Sequence, residues 1–136
     1  MGIDIRKKEV QEMFDIFDDP MDKYIQIIEL GKKNIGIPEK YKNDDNRIFG
    51  CASMAWVKVD NHNNKYSVLT DSDTFIVKGL LSILKYILDD STLDEINNLK
   101  IESIFYDMGL EDSITSQRTN GFLNALEKIK EQINGQ

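Results

Sequence analysis

The segment Asp71–Asp90, DSDTFIVKGLLSILKYILDD, constrains the fold more than any other. Apolar residues dominate positions 75–88, which gives a helix an apolar surface too broad to lie on one neighbour. Such a helix must be largely buried, so the rest of the chain has to wrap it. Asp71 or Ser72 is read as the cap for its free N–H groups, and the acids suit the positive end of its dipole. Gly79, alone inside this pattern, and Gly121, alone inside a later one, predict close packing of backbone against a neighbour.

The covering elements can be read from the change of period. Val10, Met13, Phe14 and Phe17 place an amphipathic helix over 9–17, stopping at Asp18-Asp19-Pro20. Pro20 suits the first turn of a second helix, where its missing N–H is not needed. Tyr24, Ile25, Ile28 and Leu30 give that helix its apolar face, and Gly31 or Asn34 ends it. The stretch NIGIPEKYKNDDNR reads as irregular. Then Trp56, Val57 and Val59, the turn residues NHNN at 61–64, and Tyr66, Val68 and Leu69 predict an antiparallel hairpin. Residues 47–50 form a possible third strand, which leaves the Cys51 segment connecting two strands. A short helix over Thr92–Asn98, a turn before Gly109, and a last helix starting at Ser113 or Thr115 complete the chain; the last helix presents Phe122, Leu123, Leu126 and Ile129. The expected fold is α+β, a small antiparallel sheet of about three strands packed against helices, as one domain over residues 1–136.

Composition narrows the function. Asp and Glu outnumber Lys and Arg by 24 to 17, a formal charge of −7, which disfavours nonspecific nucleic-acid binding and points to protein or small-molecule partners. No apolar run approaches membrane-spanning length, and MGIDIRKKEV lacks the apolar core of a signal peptide. Arg6 stands where a myristoylation motif wants Ser or Thr. One cysteine forms no internal disulfide, and a cytoplasmic protein is expected. One Cys and one His, the latter in a polar turn, make no usual zinc set, and Asp71 and Asp73 read as caps rather than ligands, so no metal is expected. No triad or glycine-rich phosphate cradle is visible.

What remains is the thiol in IFGCASMAWV. On residues alone Cys51 reads either as a small buried filler or as a nucleophile presented by a turn. A thiolate needs no catalytic partner if it only passes sulfur, attacking the terminal sulfur of a donor persulfide and becoming a persulfide itself. Gly50 gives the backbone freedom for such a turn, and Ala52 and Ser53 keep its rim small.

Four blocks, in order, resemble one family. GCASMAWV is similar to the Gly-Cys-x-Ser-x-x-Trp segment of the SufE family of sulfur acceptors. DSDTFIVKGLLSIL resembles its Asp-Ser-Asp-x-x-Ile-Val-Lys-Gly-Leu, SITSQRTNGFLNAL its Leu-Thr-x-Ser-Arg-x-x-Gly, and DKYIQIIELGKKN its Tyr-x-x-Ile-Ile-Glu-Leu-Gly. The resemblance implies a fold shared with cluster scaffolds of the IscU kind. It also implies that Cys51 takes persulfide sulfur from a SufS-type cysteine desulfurase, stimulates that enzyme, and passes the sulfur to a SufBCD-type scaffold complex in iron–sulfur cluster assembly. Pyridoxal phosphate belongs to the desulfurase, so this chain is expected to need no cofactor and to act as a relay rather than a stand-alone enzyme. The sequence departs from many relatives at Ala52 and Met54, where they carry Gln, and at Ser116-Gln117-Arg118, where they read Pro-Ser-Arg.

Around Cys51, Gly50 and Ser53 are candidates for shaping the loop, and Met54 and Arg118 for contacting the partner. Trp56 is expected in the core, with a possible edge on the docking face; Lys78 reads as a salt-bridging residue and Asp73 as a cap. The segments 71–80 and 113–121 are expected to converge beside Cys51. The rival readings are a non-catalytic protein-binding module with a buried structural cysteine, and a stand-alone thiol enzyme.

Overall fold

The computed structural model describes residues 2–50, 53–100 and 104–135. At its centre lies the helix expected from the apolar run, α3 in chain order, Phe75–Leu88. Ile76, Leu80, Leu81, Ile83, Leu84, Ile87 and Leu88 are all buried, on several sides of the helix. Each such side chain contributes about 1.5–3 kcal/mol relative to exposure, which is why four elements gather on this one. Helices α1 (Ile3–Asp15) and α2 (Pro20–Lys33), strand β2 (Lys65–Ser72) and helix α6 (Ser116–Asn134) pack against it.

The α2–α3 seam is the closest of these. A Cβ on Gly79 would fall on the carbonyl of Ile27, and one on Gly31 would fall on the carbonyl of Phe75, so two glycines let the backbones meet. Helix α2 starts as the sequence predicts: Pro20 is its first residue, and the Asp19 carboxylate accepts from the Met21 amide at 2.8 Å. It ends at Asn34, whose side chain donates to Thr70 Oγ1 at 3.0 Å and accepts from the Gly36 amide at 2.9 Å. Of its predicted face, Tyr24, Ile28 and Leu30 are partly buried, but Ile25 is 49% exposed and Ile27 is the residue fully inside.

Helix α1 is a correction in register. It spans 3–15 rather than 9–17, so Phe17 lies beyond it. Its inward residues are Ile3, Arg6, Val10 and Phe14. The charged run at its start hid this, because one member of the run turns inward: Arg6 donates to the Tyr86 carbonyl at 3.4 Å.

β1 (Ala55–His62) and β2 pair antiparallel, His62 opposite Lys65, around Asn63 and Asn64 at φ 55° and 66°. Two left-handed residues match the twist of a tight hairpin, and asparagine tolerates them. Ala55, Val57 and Val59, with Tyr66, Val68 and Thr70, face inward by simple alternation.

The third strand is not formed as such: the sheet is two-stranded, and residues near 47 contribute one bridge, Arg47 to Trp56. Ile48 donates to Ala55 and Val57 donates to Asn46, after which a side chain replaces the missing strand. Gln132 of α6 accepts from the Val59 amide at 2.9 Å and donates to the Val57 carbonyl at 3.0 Å. On the opposite edge Asp89 accepts from the Val68 amide at 2.8 Å and Lys85 donates to its carbonyl at 2.7 Å. Edge groups satisfied this way offer no template for further pairing.

The short helix α4 (Leu93–Asn97) begins in a capping box between Thr92 and Glu95, and α5 (Ile104–Asp107) precedes Gly109 at φ 72°. Helix α6 starts at the second of the two predicted caps, Thr115, and buries Phe122, Ala125, Leu126, Ile129 and Ile133. Among the described residues no helix is long and apolar enough to cross a membrane.

Candidate functional site

Cys51 and Ala52 lie outside the described residues, so the site is built from what flanks them. Gly50 sits at φ 86°, in the left-handed region that side chains disfavour. The Asn124 amide of α6 abuts it, within 2.5 Å of where a Cβ would be, and donates to the Phe49 carbonyl at 3.2 Å. On the other flank, Ser53 Oγ shares a 3.0 Å hydrogen bond with Thr74 Oγ1, at the start of α3. The Met54 carbonyl accepts from Ser72 Oγ at 2.8 Å and from the Asp73 amide at 3.1 Å. Two helices and the end of β2 thus hold the chain on either side of the cysteine.

A cavity of about 210 Å³ opens beside Ser53. Val77, Leu80 and Leu81 of α3 and Gly121 and Phe122 of α6 supply its apolar walls, and Thr115, Gln117 and Arg118 its polar side. The segments 71–80 and 113–121 therefore meet at Ser53. Arg118 places its guanidinium 5.8 Å from the centre of the Tyr24 ring. Three large apolar side chains near the two flanks are exposed: Phe49 at 57%, Phe75 at 51% and Met54 at 36%.

Not every candidate belongs to this corner. Asp71 is not a cap: it is 5% exposed at the end of β2, where it accepts from the Ile37 amide at 3.0 Å and the Ser72 amide at 2.8 Å. Lys42 reaches it at 3.1 Å and Lys78 at 3.4 Å. Lys78 is thus a salt-bridging residue, but toward a buried carboxylate. Trp56 is a second correction: it is half-buried rather than core, with Lys42 Nζ 5.3 Å from its ring centre. Asp73 is exposed and is not the cap either, because Thr74 occupies that position. The sequence reading missed Asn124 and Thr74 altogether; neither carries a periodicity or motif signal, since both act across long sequence separations.

Burial alone pushes the Asp71 carboxyl up, but the Ile37 amide, Lys42, the Ser72 amide and Lys78 together hold it below the ordinary carboxylate value. A carboxyl depressed in the folded state stabilises above its unfolded pKa, about 3.9, and that contribution is lost as pH falls below it. Asp71→Asn is expected to cost about 2 kcal/mol at neutral pH by leaving buried donors and two lysines poorly paired. The gap between wild type and variant in urea midpoint should narrow as pH is lowered through this range; a gap independent of pH would show that the charge contributes nothing.

Among the described residues no three His, Cys, Asp or Glu side chains gather as a metal site.

A two-stranded hairpin over helices, with a left-handed glycine at position 50 ahead of its first strand, defines a class of small α+β protein. A solution structure of a hypothetical protein from Thermus thermophilus has this fold, at TM-score 0.77, 18% identity, and 96% and 94% coverage of the two chains. The family described as SufE, the Fe-S metabolism associated domain, matches residues 8–133. Curated relatives include an uncharacterized SufE-like protein of Rhizobium etli, 33% identical over 91% of this chain and 86% of its own. Another is the cysteine desulfuration protein SufE of Wigglesworthia glossinidia brevipalpis, 34% identical over 80% of this chain and 76% of its own. The chain belongs to the SufE family, and its role lies in Fe-S metabolism.

Proposed function

We propose that this protein is a sulfur acceptor for a SufS-type cysteine desulfurase: Cys51 takes persulfide sulfur from the enzyme, stimulating its turnover, and hands it to a SufBCD-type scaffold. The Cys51 thiolate attacks the outer sulfur of the donor persulfide. The donor's S–S bond breaks, a new one forms on Cys51, and the desulfurase cysteine leaves as thiolate, with no net oxidation. The reading places the relay in the reducing cytoplasm, as one domain over residues 1–136.

One observation carries it within a family of Fe-S metabolism: the described flanks of the lone cysteine are pinned to α6 and α3, and one of them, at Ser53, borders a largely apolar cavity between those helices. Such surroundings suit a sulfur that must meet another protein and be kept from oxidants between transfers. The pyridoxal phosphate resides in the partner, and nothing in the transfer step asks this chain for a cofactor. The test is incubation with a desulfurase, its pyridoxal phosphate and cysteine, followed by intact-mass analysis. A gain of one sulfur atom that a reductant removes is expected; a chain that stays at its starting mass and leaves desulfurase turnover unchanged is a binding module with a structural cysteine.

Docking should draw on the exposed Phe49, Met54 and Phe75, with Arg118 at the margin. Arg118→Ala is expected to weaken association with the desulfurase severalfold and make it less salt-dependent, while transfer at saturating partner changes little. Titration of desulfurase activity at two salt concentrations measures this, and curves matching wild type at both would remove Arg118 from the docking face.

A further inference from the structure

We infer that Thr74 and Asn124 are positioning residues for sulfur transfer, each fastening one end of the Phe49–Ser53 stretch to a different helix. This rests on reading Cys51 as the sulfur acceptor. Threonine at a helix N-cap ordinarily accepts from an amide in the first turn. Two threonine caps of this protein do so: Thr92 accepts from the Glu95 amide and Thr115 from the Arg118 amide. Thr74 holds the same position on α3, with extended backbone at φ −123° and ψ 142°, yet makes no capping bond. Its hydroxyl is bonded to Ser53 instead. The most buried helix of the fold therefore forgoes its cap, and what it holds in exchange is the C-terminal flank of the cysteine.

Asn124 does the equivalent on the N-terminal flank. It lies on the exposed face of α6, and its amide both donates to the Phe49 carbonyl and sits against the position a Cβ on Gly50 would take. Only Gly50 fits there, because φ 86° and the proximity of the Asn124 amide each oppose a side chain. Three residues, Gly50, Cys51 and Ala52, join the bonded ends Phe49 and Ser53, and contour length bounds how far anything between them can travel. Thr74 and Asn124 are exposed and absent from the core, so these bonds contribute little to global stability. Their consequence is orientation, on which bringing two sulfurs into line depends.

The experiment follows single-turnover sulfur loading by desulfurase and cysteine, read as intact mass against time. Alkylation by iodoacetamide and melting temperature are measured alongside, for wild type, Cys51→Ser, Thr74→Val, Thr74→Ser and Asn124→Ala. Thr74→Val and Asn124→Ala are each expected to load about fivefold more slowly, the effect of one positioning hydrogen bond. Their alkylation should be no slower than wild type, their melting temperatures should lie within about 2 °C of it, and Thr74→Ser should load normally. If wild type loads and the two variants load at the same rate, this inference is overturned alone. If wild type takes up no more sulfur than Cys51→Ser, the relay reading falls and the inference with it. Slow loading accompanied by equally slow alkylation or a lowered melting temperature, or not rescued in Thr74→Ser, assigns the two residues a merely structural role and overturns positioning.

Discussion

Cys51→Ser is expected to take up no sulfur and to leave desulfurase turnover unstimulated, while circular dichroism and melting temperature stay at wild-type values. Oxygen for sulfur is a small change of volume. A hydroxyl, however, is almost wholly protonated at neutral pH and is a poor nucleophile toward a persulfide, so the loss is of chemistry and not of packing. The described neighbours support this separation, since Gly50 is exposed and Ser53 half-buried, and the bonds that hold the two flanks, Asn124 to the Phe49 carbonyl and Thr74 to Ser53, do not involve the thiol. Stimulation retained in the serine variant would sink the relay. A large loss of helix signal would instead restore the reading of Cys51 as filler.

A large stability effect is expected one turn into the cysteine-supporting helix. Gly79→Ala should lower stability by about 2 kcal/mol and the melting temperature by about 7 °C. Helix propensity alone argues the opposite sign, since alanine is favoured over glycine by about 1 kcal/mol in a helix interior. Space decides. The new methyl would fall on the backbone carbonyl of Ile27, which cannot rotate away as a side chain could, and Gly31 faces Phe75 in the same manner across the seam. The helices must then separate, loosening Ile27, which is fully buried between them. Calorimetry of the variant measures the sum, and a melting temperature at or above wild type would mean that α2 shifts at no cost.

Much of this could be read from local pattern. The apolar breadth of 75–88 required a buried helix, Asp19-Pro20 marked the start of α2, and Asn63-Asn64 marked the hairpin turn, because caps, proline and left-handed asparagine act within a few residues. The ordered blocks around Cys51, Asp71, Ser113 and Tyr24 were enough to place the chain in its family. Where the reading missed, the deciding partner lay far along the chain. Asp71 and Asp73 look alike in the string DSD, but strand pairing carries one inward to Lys42 and Lys78 and leaves the other exposed. A third strand was credible from 47–50, but among the described residues only Asn46 and Ile48 bond β1 there, and the edge groups beyond them are taken by the Gln132 amide, 75 positions from Val57. Thr74, and not Asp71, Ser72 or Asp73, holds the N-cap position of α3, and its hydroxyl is bonded to Ser53, 21 positions away, rather than to the helix. The sequence by itself determined most of the elements and the family, and it offered the one thiol that the proposed relay uses, since those rest on local periodicity and residue chemistry. The tertiary structure decided which polar side chains hold the two flanks of Cys51, because a hydrogen bond between distant residues leaves no period for the sequence to show.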